Sequence, residues 1–241
     1  MRIRKSIAAP VMLLCGLVLG AAEPSVVRGR IDIRNSKIRL RGGGTDAGGV
    51  AVWLTPLLAG PGTGTAVRAR AIIEQRDKRF VPHVLAIETG TAVDFPNGDP
   101  FFHNVFSTFD GKIFDLGLYA NGESRPVRFN RPGVSYIFCN IHPQMSAVIV
   151  TVDTPYFATS GPDGSFVMRN VPLGRYELRL WHERSEPREL AALSRVVAID
   201  SPVTDLGIIG LDEAGYVSRG HKNKHGEDYP PGRELPGYRR P

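Results

Sequence analysis

The chain has 241 residues, a formal net charge of +6 and two cysteines. Because its basic residues form no stripe interleaved with aromatic side chains, this charge does not indicate a nucleic-acid partner. The 27 glycines and 19 prolines, among many valines, isoleucines and aromatic residues, favour short strands joined by tight turns.

The first 22 residues predict a targeting segment for export. Three basic residues, Arg2, Arg4 and Lys5, precede an apolar stretch that is too short and too rich in small residues to span a membrane comfortably. Small residues follow at positions 20–22, where a signal peptidase reads. We therefore expect cleavage after Ala22 and a periplasmic or secreted mature chain, with no membrane insertion beyond this segment. An uncleaved N-terminal anchor is the alternative.

Cleavage would leave Cys139 as the only cysteine of the mature chain, because Cys15 lies in the removed segment. It would also lower the formal charge to +3, since three basic residues and no acidic residue are lost. Exported cysteines normally pair as disulfides. A lone thiol in an oxidising compartment therefore indicates another use for Cys139, and a metal ion is the obvious candidate.

The mature chain is predicted to be all-β, because no segment sustains a period of 3.6 residues over three turns. Only Glu186–Arg195 favours a helix, with Pro187 near its start. The predicted strands, in chain order, are Val26–Arg34, Val50–Leu54, Ala69–Ile73, Val81–Glu88, Ala92–Phe95, Asn104–Ser107, Val127–Asn130, Val134–Cys139, Ala147–Val152, Ser165–Arg169, Arg175–Trp181 and Val196–Ile199.

These elements divide the mature chain into three parts. Residues 67–153 are dense in strands and contain every candidate metal ligand. Residues 24–66 and 155–212 supply further strands, and we expect them to form one discontinuous β-sandwich around the central part. The rival arrangement adds residues 24–66 to the central part. From 213 to 241 the chain is polar and rich in Gly and Pro, so we expect a disordered tail or a strap that docks on the folded part.

The segment from Phe138 to Met145 closes one predicted strand and precedes the next. Within seven residues it offers a thiolate from Cys139, an imidazole from His142 and a thioether from Met145. His103, which follows an upstream strand, offers a second imidazole. Two imidazoles, a thiolate and a weak axial thioether form the ligand set of blue-copper electron-transfer sites. The sequence therefore predicts one type 1 copper ion held by these four candidate ligands.

Other metals suit these side chains less well. A thioether is a poor fourth ligand for zinc, which prefers nitrogen, thiolate and oxygen donors. Non-haem iron would require a carboxylate beside two histidines, and the loop contains no acidic residue. Each ligand taken alone also has a structural interpretation, as a buried thiol, a core methionine or a hydrogen-bonded histidine. Their joint spacing favours the metal site.

Residues from about 69 to 152 resemble the cupredoxins, especially the plastocyanin and amicyanin group. The resemblance rests on FVPHVLAIETGTAVDFPNGDPFFHNVF, then RFNRPGVSYIFCNIHPQM, then a final apolar strand. It implies a Greek-key β-sandwich in which the four candidate ligands bind copper. The C-x2-H-x2-M loop is similar to the short amicyanin form, whereas plastocyanins insert two more residues before the methionine.

The same resemblance implies roles for residues around the ligands. Asn104 would help to pin the ligand loop through hydrogen bonds, which orient ligands and tune a metal's potential. His142 would reach the surface as the route for the electron. Phe101, Phe102 and Pro143 would supply an apolar patch for brief docking of redox partners, with simple core packing as the alternative for the two aromatic rings.

His83 is a further candidate. The predicted hairpin turn at 88–91 brings His83 toward Asn97, at the end of the sheet that carries His103. It is either a supporting group or a supplementary ligand of the metal, or a half-exposed histidine without a role. His221 and His225 have i, i+4 spacing but no helical context, so they predict no second metal site.

The segment DGSFVMRNVPLGRYELRLWHE resembles the carboxypeptidase-regulatory or transthyretin-like β-sandwich, and the N-terminal strands VVRGRIDIR and VAVWLTP resemble its opening strands. This combination with a cupredoxin is similar to methylamine-utilisation-type plastocyanin-like proteins, although no residue here shows that role. The resemblance implies a module for binding or spacing and not for catalysis.

These features predict a one-electron carrier between periplasmic donor and acceptor proteins, and not an enzyme. A copper oxidase or reductase needs a further copper cluster, and only four other histidines exist, at 83, 182, 221 and 225. A copper-delivery protein, with the metal as cargo, is the alternative. Such proteins usually offer exposed sites rich in Met or His, which the mature chain lacks.

Overall fold

The computed structural model describes residues 25–37, 45–58, 69–108, 111–214, 216 and 221–229. Over these ranges the chain is mostly β-strand with one short helix, which confirms the predicted all-β class. The predicted targeting segment and the glycine-rich run at 59–65 lie outside the described residues. Within the described part, no helix has the length and apolar character needed to cross a membrane.

The elements are as follows: β1 (Ser25–Arg34), β2 (Ala51–Pro56), β3 (Arg70–Ile72), β4 (Glu74–Arg76), β5 (Arg79–Val81), β6 (Val84–Glu88), β7 (Ala92–Pro96), β8 (His103–Ser107), β9 (Phe114–Tyr119), β10 (Ser124–Arg128), β11 (Gly133–Phe138), β12 (Ser146–Val152), β13 (Phe157–Thr159), β14 (Ser165–Val171), β15 (Gly174–Trp181), α1 (Pro187–Leu193), β16 (Arg195–Ile199) and β17 (Val203–Asp212).

The first sandwich consists of two sheets with strand orders β14-β1-β17 and β13-β2-β15-β16. β1 pairs antiparallel with β14 and parallel with β17, while β2 pairs with β13 and β15. One apolar cluster, which includes Ile31, Leu54, Phe166 and Leu178, is buried between the two sheets. The chain therefore leaves the first sandwich after β2 and re-enters it at β13. Its transthyretin-like character stays a prediction.

The second sandwich lies between these two passages and carries the candidate ligands. Its sheets have the orders β10-β7-β3 and β6-β12-β11-β8-β9. The buried cluster between them contains Phe95, Val105 and Ile149 together with Cys139 and Met145. Because full burial of a large apolar side chain contributes about 1.5–3 kcal/mol, this core gives the site a stable apolar support.

A smaller apolar cluster, the seam, joins the two sandwiches. It contains Ala51 from β2, Ala86 from β6 and three valines from β12, all of them buried. Across the seam, the Trp181 ring of β15 lies edge-on to the Tyr136 ring of β11, with 6.4 Å between their centroids. The two sandwiches are thus packed against each other and are not joined by their linking segments alone.

The prediction of one continuous strand over Val81–Glu88 is wrong. β5 ends at Val81, the peptide bond to Pro82 is cis, and β6 begins at Val84. The two strands have different partners, because β5 pairs with β4 in a short hairpin whereas β6 pairs in parallel with β12. His83 consequently lies in the connection between two strands.

Strands β4, β9, β13 and β17 were not predicted, and β9 and β17 share a reason. Each contains Asp-Leu-Gly, with the glycine at a positive φ of 68° for Gly117 and 71° for Gly207. In each, the aspartate side chain accepts the glycine N–H at 2.9 Å, and the register shifts there. A glycine at such a bulge interrupts the alternating pattern by which strands are recognised in a sequence.

Candidate metal centre

A short loop carries three of the four candidate ligands. β11 and β12 are antiparallel neighbours with Phe138 opposite Ser146, and residues 139–145 connect them. The Cys139 N–H donates to the Met145 carbonyl at 3.1 Å, and the Met145 N–H donates to the His142 carbonyl at 2.9 Å. These two hydrogen bonds close the loop, so the relative positions of its thiol, imidazole and thioether are fixed by the backbone.

The ligand atoms of His103, Cys139 and His142 converge on one point. The Cys139 Sγ lies 3.8 Å from the His103 Nδ1 and 3.5 Å from the His142 Nδ1, and all three atoms lie within 4.8 Å of one another. A metal about 2.0–2.1 Å from imidazole nitrogen and about 2.3 Å from thiolate, at trigonal angles, separates N from S by about 3.8 Å. The donor set therefore fits a trigonal metal ion.

The candidate ligands are withdrawn from solvent. His103, Cys139 and Met145 are fully buried, and His142 is 8% exposed. Met145 belongs to the same apolar cluster as Cys139, which agrees with its predicted place beside the metal. Its service as the axial ligand stays a prediction, as does the binding of metal by the other three.

Asp99 orients the upstream histidine, and sequence reasoning missed it. Its carboxylate lies 2.7 Å from the His103 Nε2, which assigns the proton to Nε2 and leaves the Nδ1 lone pair directed at the thiol. The carboxylate also accepts the N–H groups of Asp77 and Lys78, at 2.7 and 2.9 Å, from the left-handed turn between β4 and β5. An acidic residue four positions before a candidate ligand, in a strand-ending turn, was the available signal.

Both imidazoles are held in the neutral form that binds metal. Burial lowers the pKa of His103, against the opposing effect of the Asp99 carboxylate. Burial, together with repulsion from Lys78 and from His103 in its protonated form, lowers the pKa of His142 to about 4. At neutral pH neither ring therefore has to lose a proton before its Nδ1 can coordinate.

The pKa of the Cys139 thiol is shifted in the opposite direction to the pKa values of the two histidines. Burial raises its pKa, although N–H groups of Asn104, Ile141 and His142 donate to the sulfur and favour the thiolate. A metal cation at the convergence point would displace the thiol proton, so metal binding should release a proton and strengthen with rising pH. The three N–H donors are arranged around the atom whose charge a bound metal would share.

The other predicted residues occupy different positions around the ligands. Asn104 contacts the site through its backbone N–H, whereas its side-chain amide donates to Asp115 at 2.7 Å. The Phe101 ring packs edge-on to His103, with 5.1 Å between centroids, and also lies 5.8 Å from His142. Phe102 is 56% exposed and Pro143 is exposed as well. Their use in docking a partner stays a prediction.

His83 is not brought into the ligand cluster. Its Nδ1 lies 3.0 Å from the Ser146 carbonyl and its Nε2 lies 2.7 Å from the Glu183 carboxylate. Because β6 and β12 run parallel, His83 lies at the same end of the sheet as His103, but its ring contacts Glu183 of the first sandwich and not the ligand atoms. His83 therefore links the two sandwiches.

A C-terminal strap, residues 221–229, lies against the ligand loop. The Tyr229 hydroxyl donates to the Cys139 carbonyl at 2.8 Å, and the Lys224 N–H donates to the Asn140 side-chain oxygen at 2.9 Å. The His221 ring stacks on Phe138 with 4.2 Å between centroids. Part of the predicted tail thus docks on the second sandwich. A docking strap was one of the two alternatives for this tail, and the sequence did not indicate where it would dock.

No family model and no curated protein matches this chain. Solved structures of several proteins are similar to part of it, among them the following three. A purple cupredoxin from Nitrosopumilus maritimus is 26% identical over 35% of this chain and 99% of its own, with a TM-score of 0.31. Amicyanin from Paracoccus versutus is 17% identical over 41% and 91%, with a TM-score of 0.32. The nitrite reductase NirK from Thermus scotoductus SA-01 is 25% identical over 41% of this chain but only 25% of its own, with a TM-score of 0.34. Scores of this size assign neither family nor function, which depend on the site itself.

Proposed function

We propose that this protein is an exported type 1 copper protein that carries single electrons between donor and acceptor proteins in the periplasm or outside the cell. The convergence of the His103 and His142 Nδ1 atoms on the buried Cys139 sulfur, at 3.8 and 3.5 Å, carries the proposal. Bound there, copper would supply one electron by cycling between Cu(I) and Cu(II). Met145 would complete the set from the axial position.

The surroundings of the site suit electron transfer better than catalysis or copper delivery. The four candidate ligands are buried or nearly so, which would restrict the access of a substrate to a metal held there. A closed loop and the Asp99 carboxylate hold the ligands in one arrangement, so little reorganisation should accompany a change in oxidation state. A delivery protein, by contrast, must expose its metal in order to release it.

Cu(II) titration of the purified mature chain tests the site. The loaded protein should show an intense visible band from thiolate-to-copper charge transfer, and Cys139→Ser should abolish it. Ser135→Ala is a matched control, because this buried hydroxyl lies on β11 away from the ligand loop. A colourless Cu(II) complex of the unaltered protein would refute the type 1 assignment.

The choice between carrier and delivery protein depends on how firmly copper is held. Reversible voltammetry together with slow transfer of copper to a chelator is the result expected of a carrier. Rapid and complete transfer from both oxidation states would instead favour delivery.

A further inference from the structure

We propose that the C-terminal strap is a positioning element of the copper centre, with Tyr229 and Lys224 as the residues that act on it. The inference rests on the proposed function, since it concerns how tightly the ligand loop is held around the metal. It assigns a role to a polar segment whose sequence, HKNKHGEDY, contains no feature that links it to the site.

The strap contacts the ligand loop through two hydrogen bonds. The Tyr229 hydroxyl donates to the carbonyl of Cys139 itself, at 2.8 Å, and so fixes the peptide group that follows the thiol. The Lys224 N–H holds the next side chain, Asn140, at 2.9 Å. Both hydrogen bonds act on residues immediately before Ile141 and His142, whose N–H groups donate to the sulfur.

The strap also reaches the third N–H donor. The Lys224 ammonium forms an ion pair with Asp115 at 2.7 Å, and the other oxygen of that carboxylate accepts the Asn104 side chain at 2.7 Å. The backbone N–H of Asn104 in turn donates to the Cys139 sulfur. The strap therefore contacts the two residues that precede the donors Ile141 and His142 and, through Asp115, the side chain of the donor Asn104.

The strap is itself held in a defined conformation. Asn223 caps a turn by accepting the N–H groups of His225 and Glu227, at 2.9 and 3.0 Å. The His221 ring stacks on Phe138 and lies edge-on to the Tyr229 ring, with 5.2 Å between those two centroids. The two residues that contact the loop are thus presented by a folded segment, and their hydrogen bonds cost little further ordering.

Hydrogen bonds to a metal-bound thiolate draw charge from the sulfur and favour the reduced metal, so the potential depends on how firmly the donors are held. Loosening the strap should therefore lower the reduction potential and speed the loss of copper. Outer-shell changes of this kind commonly alter metal affinity by about 10–100-fold. Because Tyr229 and Lys224 do not touch the ligand atoms, the visible charge-transfer band should remain.

The test uses the full mature chain with single substitutions. Tyr229→Phe removes one hydroxyl and keeps the ring, and Tyr216→Phe makes the same change outside the strap. Lys224→Gln removes the charge that pairs with Asp115, while Lys222→Gln removes an equal charge two residues away and Lys224→Arg restores the ion pair. Three quantities are measured: the reduction potential, the rate of copper transfer to a chelator, and amide hydrogen exchange of residues 140–142 in the copper-free protein.

We expect Tyr229→Phe and Lys224→Gln to lower the potential, to speed copper transfer about tenfold and to increase exchange at 140–142. Tyr216→Phe, Lys222→Gln and Lys224→Arg should match the unaltered protein. If both strap variants match their controls in all three measurements, the proposal is overturned. Absence of the visible band from the unaltered protein would refute the proposed function instead, while exchange in the copper-free protein would still report whether the strap holds the loop.

Discussion

The two sandwiches contain the same kind of buried pair and use it differently. In the second sandwich, the His103 Nε2 lies 2.7 Å from Asp99; in the first, the His182 Nε2 lies 2.8 Å from Glu213. Burial lowers the pKa of both histidines. The difference lies at the other ring nitrogen, because the His103 Nδ1 faces a thiol whereas the His182 Nδ1 has no hydrogen-bond partner in the described part of the chain.

This comparison shows that a carboxylate–imidazole pair becomes a candidate metal site only where a loop adds further donors. At His182 the carboxylate is shared with Arg184, whose Nε lies 2.8 Å from the same oxygen of Glu213. That arrangement neutralises a buried acid and ties the end of β17 to the strand-end residues 182–184. Both regions are β-sandwiches, and the candidate metal site is formed by loops at one end of the second sandwich.

Core truncations should separate the two regions most strongly. Phe95→Ala in the second sandwich should lower the free energy of unfolding by about 3–5 kcal/mol, and Leu178→Ala in the first by about 2–5 kcal/mol, since both side chains are fully buried. Only Phe95→Ala should also speed copper transfer to a chelator, because β7 leads directly to Asp99. Denaturant unfolding and chelator kinetics check this. Equal effects of both variants on copper would show that the sandwiches act as one unit.

Neutralising the two carboxylates tests whether the buried pairs differ in function. Asp99→Asn should weaken Cu(II) binding about 10–100-fold, because the amide holds the His103 Nε2–H less strongly. Glu213→Gln is the matched change in the first sandwich and should leave Cu(II) affinity unchanged. Competition with a chelator of known affinity measures both. A loss of affinity in Glu213→Gln as large as that in Asp99→Asn would contradict the assignment of Asp99.

The two methionines of the mature chain provide another matched pair. Met145 lies in the core of the second sandwich and Met168 in that of the first, and both are almost fully buried. Replacement by Leu conserves volume, so each should cost less than about 1.5 kcal/mol of stability. Met145→Leu should shift the reduction potential by about 59 mV, equivalent to a tenfold change in the preference for Cu(I) over Cu(II). Voltammetry should find Met168→Leu unchanged, and the axial assignment fails if Met145→Leu is unchanged too.

The smallest expected effect concerns the link between the sandwiches. The hydrogen bond to Glu183 raises the pKa of His83, although burial acts to lower it. Burial acts to raise the pKa of Glu183, but the hydrogen bond to His83 and its charge outweigh burial, so the pKa of Glu183 is lowered. The stabilisation from protonated His83 is complete below its ordinary pKa of 6.5 and is lost as the pH rises through its folded value. That from ionised Glu183 is present above its ordinary pKa of 4.5 and is lost as the pH falls through its folded value.

The stability difference between the unaltered protein and His83→Gln should therefore be largest between about pH 4.5 and 6.5. It should stay below about 1 kcal/mol, because the His83 side chain is 46% exposed and the pair is screened by solvent. Urea unfolding as a function of pH measures it, with His225→Gln, at an exposed histidine of the strap, as the control. A pH-independent difference would mean that His83 contributes packing and no charge.

Local sequence patterns were sufficient to predict features whose residues are neighbours in the chain. The C-x2-H-x2-M segment places three donors in one loop, so their proximity follows from the sequence alone. The helix predicted over Glu186–Arg195 is present as Pro187–Leu193, because Pro187 favours a first turn and nothing downstream overrides it. The continuous strand at Val81–Glu88 failed because the partners of its two halves lie on different sheets.

The amino-acid sequence by itself determined the all-β class and the position of the loop that carries three of the four candidate donors. Only the tertiary structure decided what surrounds that loop: the Asp99 carboxylate on His103, the placement of His83 against Glu183, and the strap that reaches Cys139 from Tyr229. The physical reason is separation along the chain. Side chains within a few residues are brought together by local backbone geometry, whereas Cys139 and Tyr229, 90 positions apart, are brought together only by the tertiary fold.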